Sequence, residues 1–264
     1  MTQWCQGFSP IINPLATKKA DNAQEWYSHA DTLRSGNMLT LFHHSFCPHS
    51  RFVRLALGEY GVEFRLIEER IWERRHDFLA INPAGTTPVL VAEGQPPIPG
   101  AAIVAEYLDE ALGADMADLR LLPREGGSRV EVRRLMSWFN DKFFAEISDP
   151  LTTERFYKRH MARGGSPDTD VIRAAKQNIR YHLAYIGWLV RARDWLAGNR
   201  LSYADLAAAA HLSTADYLGD VPWSEDEAAK GWYARVKSRP SFRPILAEKV
   251  PGIPPSLTYA NLDF

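Results

Sequence analysis

The sequence predicts two domains, an α/β domain with the element order βαβ-ββα and an all-helical domain that follows it. Three observations predict this fold class. Between residues 38 and 98, short apolar runs end in turn residues and enclose one helical segment, as in a small mixed sheet. From residue 118 onward, apolar residues recur at helical spacing. The length of 264 residues also allows two domains of ordinary size.

The composition excludes several classes of partner. The 31 Lys and Arg residues balance 32 Asp and Glu residues, so the chain has little net charge to attract nucleic acid or an anionic membrane. Two cysteines, Cys5 and Cys47, provide no disulfide framework, which favours a reducing compartment. No apolar run reaches the ~20 residues of a membrane helix, and the first residues lack the pattern of a secretion signal. We therefore expect a cytoplasmic protein without membrane insertion.

Residues 1–37 differ in character from the rest of the chain. They are rich in polar residues and have no sustained period apart from a candidate short helix at 23–33. A strand follows directly at Met38, which makes Met38 a candidate natural start. We expect residues 1–37 to form a poorly ordered N-terminal extension.

Residues 38–117 are predicted to form the α/β domain. The crossover helix between the first two strands predicts that these strands are parallel. A dense turn signal at 82–88 precedes the third strand. In chain order the predicted elements are a strand at 38–42, a helix at 50–61, strands at 62–66, 88–92 and 98, and a helix at 100–113 with Ile103, Tyr107 and Leu108 on its buried face.

Residues 118–249 are predicted to form the all-helical domain. Apolar residues at helical spacing predict long helices at 129–147 and 171–196. Ser202 and Asp205 predict a capping box, in which the side chain of each residue binds the backbone amide of the other. Such a box stabilises the start of a helix by roughly 1–2 kcal/mol.

Four segments, in the right order, resemble one family. They are FHHSFCPHS at 42–50, NPAGTTPVL at 82–90, LSYAD at 201–205 and WYARVKSRPSF at 232–242. Together they resemble the glutathione transferases from residue 38 to about residue 246. The resemblance implies a thioredoxin-like first domain and a cis peptide bond before Pro88, which leaves the backbone of Thr87 open to pair with an extended peptide. In the transferases that peptide is glutathione.

Cys47 is the candidate nucleophile of such a site. It precedes a proline at the predicted start of the first helix, where the helix dipole and free amides favour a thiolate. Ser45 and Ser50 are weaker candidates, and a role for Cys47 as a small buried side chain remains open. The three histidines between residues 43 and 49 have no Cys or carboxylate at ligand spacing, so no metal site is predicted.

The start of the last helix of the α/β domain lacks the residues that bind glutathione in the transferases. Those enzymes commonly carry Glu or Asp followed by Ser there, which bind the ammonium and carboxylate of the γ-glutamyl group. Gly100 and Ala101 occupy these positions and have no polar side-chain atom. We therefore expect a degenerate glutathione site with no catalysis and no cofactor. The residues of this site are Ser45, Cys47, Thr87, Pro88, Gly100 and Ala101.

Two segments are candidate surfaces for a protein partner, and the first is 68–75. Trp72 lies there between charged residues, and Trp beside Arg is common in binding hot spots. Trp72, Arg74 and Arg75 are the candidate partner contacts. The alternative is that Trp72 packs back onto its own sheet or lies in the seam of a homodimer.

The second candidate surface is an extended C-terminal tail at 250–264. Three prolines prevent a helix at its start, and apolar side chains lie near the terminal carboxylate. The alternative is a strap that packs against the helical domain. The candidate partner contacts in the tail are Tyr259, Leu262, Asp263 and Phe264.

The cysteine loop, the Gly100-Ala101 replacement, the Trp72 segment and the tail together resemble bacterial glutathione-transferase-like proteins that bind the division GTPase FtsZ. The resemblance implies a homodimer that decorates and curves FtsZ filaments at the division site and couples them to septal cell-wall synthesis, with a second partner for the tail. We therefore expect a non-enzymatic regulator of constriction. The alternative is a Cys-dependent glutathione transferase or thiol-disulfide reductase that uses Cys47. An open cleft, in which other polar groups replace the lost pair, would favour this alternative.

Overall fold

The computed structural model describes residues 38–92, 94–161 and 165–262. The predicted N-terminal extension with its short helix, and the tail residues Asp263 and Phe264, lie outside these ranges. Within the ranges, no helix combines the length and the apolar character that crossing a membrane requires.

The first domain contains a mixed sheet of four strands in the order β2-β1-β3-β4. Strands β1 (Leu39–His43) and β2 (Phe64–Glu68) are parallel because helix α1 (Pro48–Glu59) crosses over between them. Strand β3 (Val89–Val91) pairs antiparallel with both β1 and β4 (Ile98–Pro99). The predicted βαβ-ββα order is confirmed.

Two further helices complete this domain, α2 (His76–Ile81) and α3 (Ala101–Leu112). Helix α2 is not among the predicted elements, because a helix that buries one side chain, Phe78, has too little apolar periodicity. Helix α3 buries Leu108 as predicted, but Ile103 is 58% exposed. The prediction that Ile103 belongs to the buried face is wrong, because the next residue, Val104, occupies the buried face of α3 instead.

The second domain is helical, and its first helix changes its hydrogen-bonding pattern midway. Helix α4 (Gly126–Ser137) continues into a π-helical segment (Trp138–Ser148) and then into α5 (Asp149–Arg155), where the sequence predicts a regular helix. The remaining helices of this domain are α6 (Thr169–Ala192), α7 (Tyr203–Tyr217), α8 (Glu227–Lys237) and α9 (Arg243–Leu246). It also has 3₁₀ turns at 157–159, 223–225 and 240–242, while a 3₁₀ turn at 71–73 belongs to the first domain and one at 117–119 lies between the domains.

Helix α7 joins the two domains. Every residue of α7 is buried, and the helix packs against α1 of the first domain as well as against α4, α8 and the π segment. The predicted capping box is present at its start, where Ser202 N donates to Asp205 Oδ2 at 3.0 Å. Apolar residues of both domains form one continuous core around α7. The start of α1, which carries the cysteine loop, is therefore held against the helical domain.

Residues 250–262 cross the helical domain as a strap that is bound at three points to Tyr217. The Tyr217 hydroxyl accepts from Val250 N and donates to Ile253 O, and Tyr217 O accepts from Ser256 N, each at 2.8 Å. This part of the tail therefore packs against the helical domain, as in the strap alternative.

Candidate functional site

Cys47 lies at the wall of a cleft between the domains. Its N–H donates to His44 O and its carbonyl accepts from Arg51 N, both at 3.0 Å, so the turn before α1 fixes its position. Its Sγ donates a hydrogen bond to Thr87 O at 3.7 Å, so the thiol contacts the turn before Pro88 directly. Cys47 lines the cleft but is only 9% exposed, so most of its surface is covered by protein.

His49 is oriented beside Cys47 by the helical domain. Its Nε2 lies 2.9 Å from Asn140 O, and a carbonyl can only accept, so Nε2 carries a proton. The ring packs against Phe144 at 4.5 Å between centroids and stands perpendicular to His211 at 5.0 Å. With Nε2 used in this way, Nδ1 is the ring nitrogen that remains for the thiol.

The environment of this pair favours a thiolate and an imidazolium. Burial raises the pKa of the Cys47 thiol, but hydrogen bonding and charge from His49, with hydrogen bonds from Ser50, outweigh burial and bring the pKa to about 7. Burial lowers the pKa of His49, but its hydrogen bond to Cys47 and the charge of Asp141 raise this pKa above the ordinary value overall. The charged form of each residue therefore stabilises that of the other.

The turn that the resemblance implies lies beside Cys47. The Thr87–Pro88 peptide bond is cis. Gly100, with φ at 91°, precedes α3, and Ala101 is its first residue. The start of α3 therefore offers backbone amides to a ligand but no polar side chain at these two positions.

An open cleft of about 910 Å³ is lined by Cys47, by the Thr87–Pro88 turn and by the start of α3. Side chains do not fill the cleft, and an open cleft is one of the two features that favour the enzyme alternative. The charged and titratable residues of the cleft wall lie outside the start of α3. They are Cys47, His49, Arg74, Asp141, Asp149, Tyr157 and His160.

Ser45 and the histidines beside it lie behind the cleft wall. Ser45 is buried, is not among the residues that line the cleft, and donates from Oγ to Glu68 Oε1 at 3.2 Å. Burial lowers the pKa of His43 to about 3 and that of His44 to about 4, so both are neutral at pH 7. Across the described ranges, no group of three or more His, Cys, Asp and Glu could hold a metal ion.

Trp72 lies half-buried in a 3₁₀ turn (Ile71–Glu73) at the mouth of the cleft. Its ring stacks on His160 at 4.8 Å and 18° and meets Phe156 edge-on at 5.8 Å. The ring therefore packs against the helical domain, and its remaining surface faces the cleft.

The two arginines after Trp72 have different surroundings. Arg75 forms an ion pair with the fully buried carboxylate of Glu69, with 2.5 Å between Nη2 and Oε2. Arg74 is exposed and lines the cleft, with a left-handed backbone at φ 46°. Arg74 is therefore the better placed candidate for a partner contact, whereas Arg75 stabilises the turn.

The candidate contacts in the tail also divide into buried and exposed residues. Tyr259 is fully buried, donates from its hydroxyl to Ile245 O at 3.1 Å and contacts the Tyr217 ring at 4.9 Å. A buried ring cannot touch a partner while the strap is in place, which corrects the prediction for Tyr259. Leu262 is 42% exposed and Leu257 is fully exposed, so the outer tail keeps apolar groups in solvent.

The cleft residues that the helical domain contributes are not among the predicted site residues. One signal was present: Asn140 follows Val132 and Met136 at a spacing of four, where a helix predicts another apolar residue. A buried polar residue on an apolar face needs a partner, which Asn140 finds in His211. The missed residues include Asn140, Asp141 and Phe144 from the π segment and Tyr157 and His160 from the following turn.

Comparison with known proteins agrees with this architecture. The family models for the glutathione S-transferase N-terminal and C-terminal domains match residues 46–111 and 153–240. The chain is 45% identical to FtsZ-localized protein A of Caulobacter vibrioides over 228 residues, which cover 85% of this chain and 98% of that protein.

Two solved structures cover 86% of this chain and 100% of their own chains. A glutathione S-transferase from Sinorhizobium meliloti 1021 has 51% sequence identity and a TM-score of 0.84. FzlA from C. crescentus has 44% sequence identity and a TM-score of 0.81. On this evidence the chain belongs to the glutathione S-transferase family.

Proposed function

We propose that this protein is a non-catalytic regulator of cell division that binds FtsZ filaments at the division site and promotes constriction and septal cell-wall synthesis. The observation that carries the proposal is the 45% identity to FtsZ-localized protein A over 98% of that protein. The fold alone would support no particular partner, because one fold serves many functions. Because the identity extends over nearly the whole length of that relative, it also includes residues at the surface of the relative.

The degenerate start of α3 supports the non-catalytic part of the proposal. Two charge-assisted hydrogen bonds to the γ-glutamyl group are lost at Gly100 and Ala101, each worth about 1.5–3 kcal/mol. The loss weakens glutathione binding by roughly a hundredfold to ten-thousandfold. Calorimetric titration with reduced glutathione should therefore show no micromolar binding. Micromolar binding in the cleft would contradict a non-catalytic protein.

The proposed FtsZ surface is the mouth of the cleft around Trp72 and Arg74. A half-buried Trp beside an exposed Arg offers both an anchor and a charge to a partner. Co-sedimentation with FtsZ polymers and GTP tests the proposal. The proposal fails if the wild-type protein stays in the supernatant under all salt conditions.

Arg74→Glu tests the surface itself, because it reverses an exposed charge and removes no core packing. We expect it to weaken co-sedimentation about tenfold or more. Arg200→Glu is the matched control, since Arg200 lies in an exposed ion pair with Asp118 away from the cleft. Equal losses in both variants would mean that net charge, rather than this surface, determines binding.

We also propose a homodimer, supported by exposed apolar residues on neighbouring helices. Val130 of α4 is 65% exposed, and Tyr181 and Trp188 of α6 are 65% and 62% exposed. Exposed apolar groups on one side of a protein often mark an interface. Light scattering after gel filtration should give a dimer mass for the wild type and a monomer mass for Trp188→Glu.

A Cys-dependent glutathione transferase or thiol-disulfide reductase is the second candidate function. The open cleft with Cys47 and His49 on its wall favours it. Retention on immobilised glutathione, with a thiol-transfer activity that Cys47→Ala abolishes, would support this candidate over the first.

A further inference from the structure

A layer of charged side chains is buried beneath the strap. Arg51 and Lys237 are fully buried and Arg54 is 5% exposed, which is rare for cations in a protein interior. Arg54 Nη1 lies 2.6 Å from Glu248 Oε1. Lys237 Nζ lies 3.4 Å from Asp216 Oδ2. Among the described residues Arg51 has no carboxylate partner, so the layer holds one positive charge in excess.

The guanidinium of Arg51 has one nitrogen without a hydrogen bond. Its Nε donates to Ser45 O at 2.9 Å and its Nη1 donates to Ser213 Oγ at 2.8 Å. Its Nη2 is buried and has no hydrogen-bond partner in the described part of the chain. Three aromatic rings surround the group instead, with centroids 5.7 Å to 5.9 Å from its Cζ. These rings belong to Phe46, Tyr217 and Tyr259. Ring faces attract a cation, but a carboxylate would add the missing hydrogen bond and a full charge.

The strap covers this layer without bringing a charge to it. None of its residues, from 250 to 262, is Asp, Glu, Lys or Arg. The strap places the ring of Tyr259 over Arg51. It also contributes a carbonyl, since Thr258 O accepts from Lys237 Nζ at 3.1 Å. A segment with a carboxylate would supply the negative charge that the strap does not supply.

We propose that the strap is a displaceable lid and that an acidic segment of a protein partner binds beneath it, with a carboxylate on Arg51 and Lys237. The partner segment takes the place of Thr258 and Tyr259, so that binding opens the strap. Displacing an uncharged strap breaks hydrogen bonds and apolar contacts but no ion pair. A ligand that binds the open form alone shifts the chain toward that form. This site is separate from the proposed FtsZ surface, because none of the four residues lines the cleft.

Calorimetry and amide hydrogen exchange of the full chain with an acetylated hexaglutamate peptide test the proposal. The reporters are the amides of Val250 and Ser256, which donate to Tyr217 while the strap is closed. We expect the peptide to bind and, at saturation, to speed exchange at both amides about fivefold or more. Acetylated hexaglutamine, with potassium chloride added to the same ionic strength, should do neither. No binding of hexaglutamate, or binding without faster exchange in the strap, overturns the proposal.

Arg51→Gln removes the unpaired charge and keeps a neutral donor at this position. We expect this variant to bind the hexaglutamate peptide about tenfold or more weakly than the wild type. Arg191→Gln is the matched control, since Arg191 is exposed on α6 in an ion pair with Asp226, and it should bind as the wild type does. Circular dichroism shows whether the Arg51 variant is folded. Equal losses in the two folded variants would mean that overall charge, rather than the buried layer, determines binding.

Tyr259→Phe tests the lid without changing Arg51. It keeps the ring and removes the hydroxyl that donates to Ile245 O at 3.1 Å. Loss of one hydrogen bond should speed exchange in the strap about fivefold. Because the peptide binds the open form, its affinity should rise by the same factor. A peptide affinity that does not follow the change in strap exchange overturns the proposal, even where Arg51→Gln does not fold. None of these measurements uses FtsZ, so failure here is distinguishable from failure of the division proposal.

Discussion

Two neutral histidines at the end of β1 make the stability of this protein depend on pH. His43 and His44 are buried in the fold. His44 Nδ1 accepts a hydrogen bond from Phe46 N at 3.2 Å, which a protonated nitrogen cannot do. Burial, together with nearby positive charge, lowers the pKa of His43 to about 3 and that of His44 to about 4. In the unfolded chain both would titrate near 6.5.

Acid is therefore expected to destabilise the protein between pH 6.5 and pH 4. In this window the unfolded chain binds protons that the folded chain excludes, so the free energy of unfolding falls as the pH falls. From pH 7 to pH 5 each histidine should contribute a decrease of about 2 kcal/mol. Urea unfolding at pH 7, 6 and 5 measures it. His44→Asn keeps an acceptor for Phe46 N and should reduce the decrease by about 2 kcal/mol, whereas a decrease of unchanged size would refute this origin.

At the scale of single elements, the start of α7 depends more on Asp205 than on Ser202. Besides the capping-box bond to Ser202, the Asp205 carboxylate accepts from Leu196 N and from Trp232 Nε1, both at 2.9 Å. Asp205→Ala leaves these buried donors unpaired, at about 1–3 kcal/mol each. Ser202→Ala removes one cap interaction worth about 1 kcal/mol. Urea unfolding should therefore show a several-fold larger loss for Asp205→Ala, and equal losses would contradict this account.

Elements with a local cause were predictable from the sequence, and elements set by contacts between domains were not. The capping box and the order of elements along the first domain follow from short-range patterns, so both were predictable from the sequence. The π segment, by contrast, occurs where α4 packs against α7 and the cysteine loop, and no local pattern encodes that packing. For the same reason Cys47 was recognisable as a candidate nucleophile, whereas Asn140, whose carbonyl orients His49, was not.

The tail has an anchored inner part and an exposed outer part, and substitutions should separate them. Tyr259→Ala removes a fully buried ring and should lower the free energy of unfolding by about 3–5 kcal/mol. Leu257→Ala removes a fully exposed side chain and should change it by about 0.5 kcal/mol or less. Urea unfolding tests both expectations. A small effect of Tyr259→Ala would show that the strap does not stabilise the folded chain.

At the scale of the whole molecule, a chain of aromatic rings connects the mouth of the cleft to the tail. Trp72 contacts Phe156 at 5.8 Å between centroids, Phe156 contacts Phe46 at 5.6 Å, and Phe46 contacts Tyr217 at 5.4 Å. Tyr217 contacts Tyr259 at 4.9 Å. The rings belong to the Trp72 turn, the cysteine loop, the helical domain and the strap. Packing of this kind can couple two surfaces, provided that both bias the same arrangement.

Phe156→Ala should therefore loosen both ends of this chain at once. Under native conditions we expect faster amide hydrogen exchange at Glu73 and Arg74, next to Trp72, and at Val250 and Ser256, which are bound to Tyr217. Phe143→Ala, in the main core, is the control, because its effect should reach these amides only through global unfolding. If Phe156→Ala accelerates exchange at one end alone, the two surfaces are independent. If both ends respond, a partner bound at Trp72 can alter how firmly the tail is held.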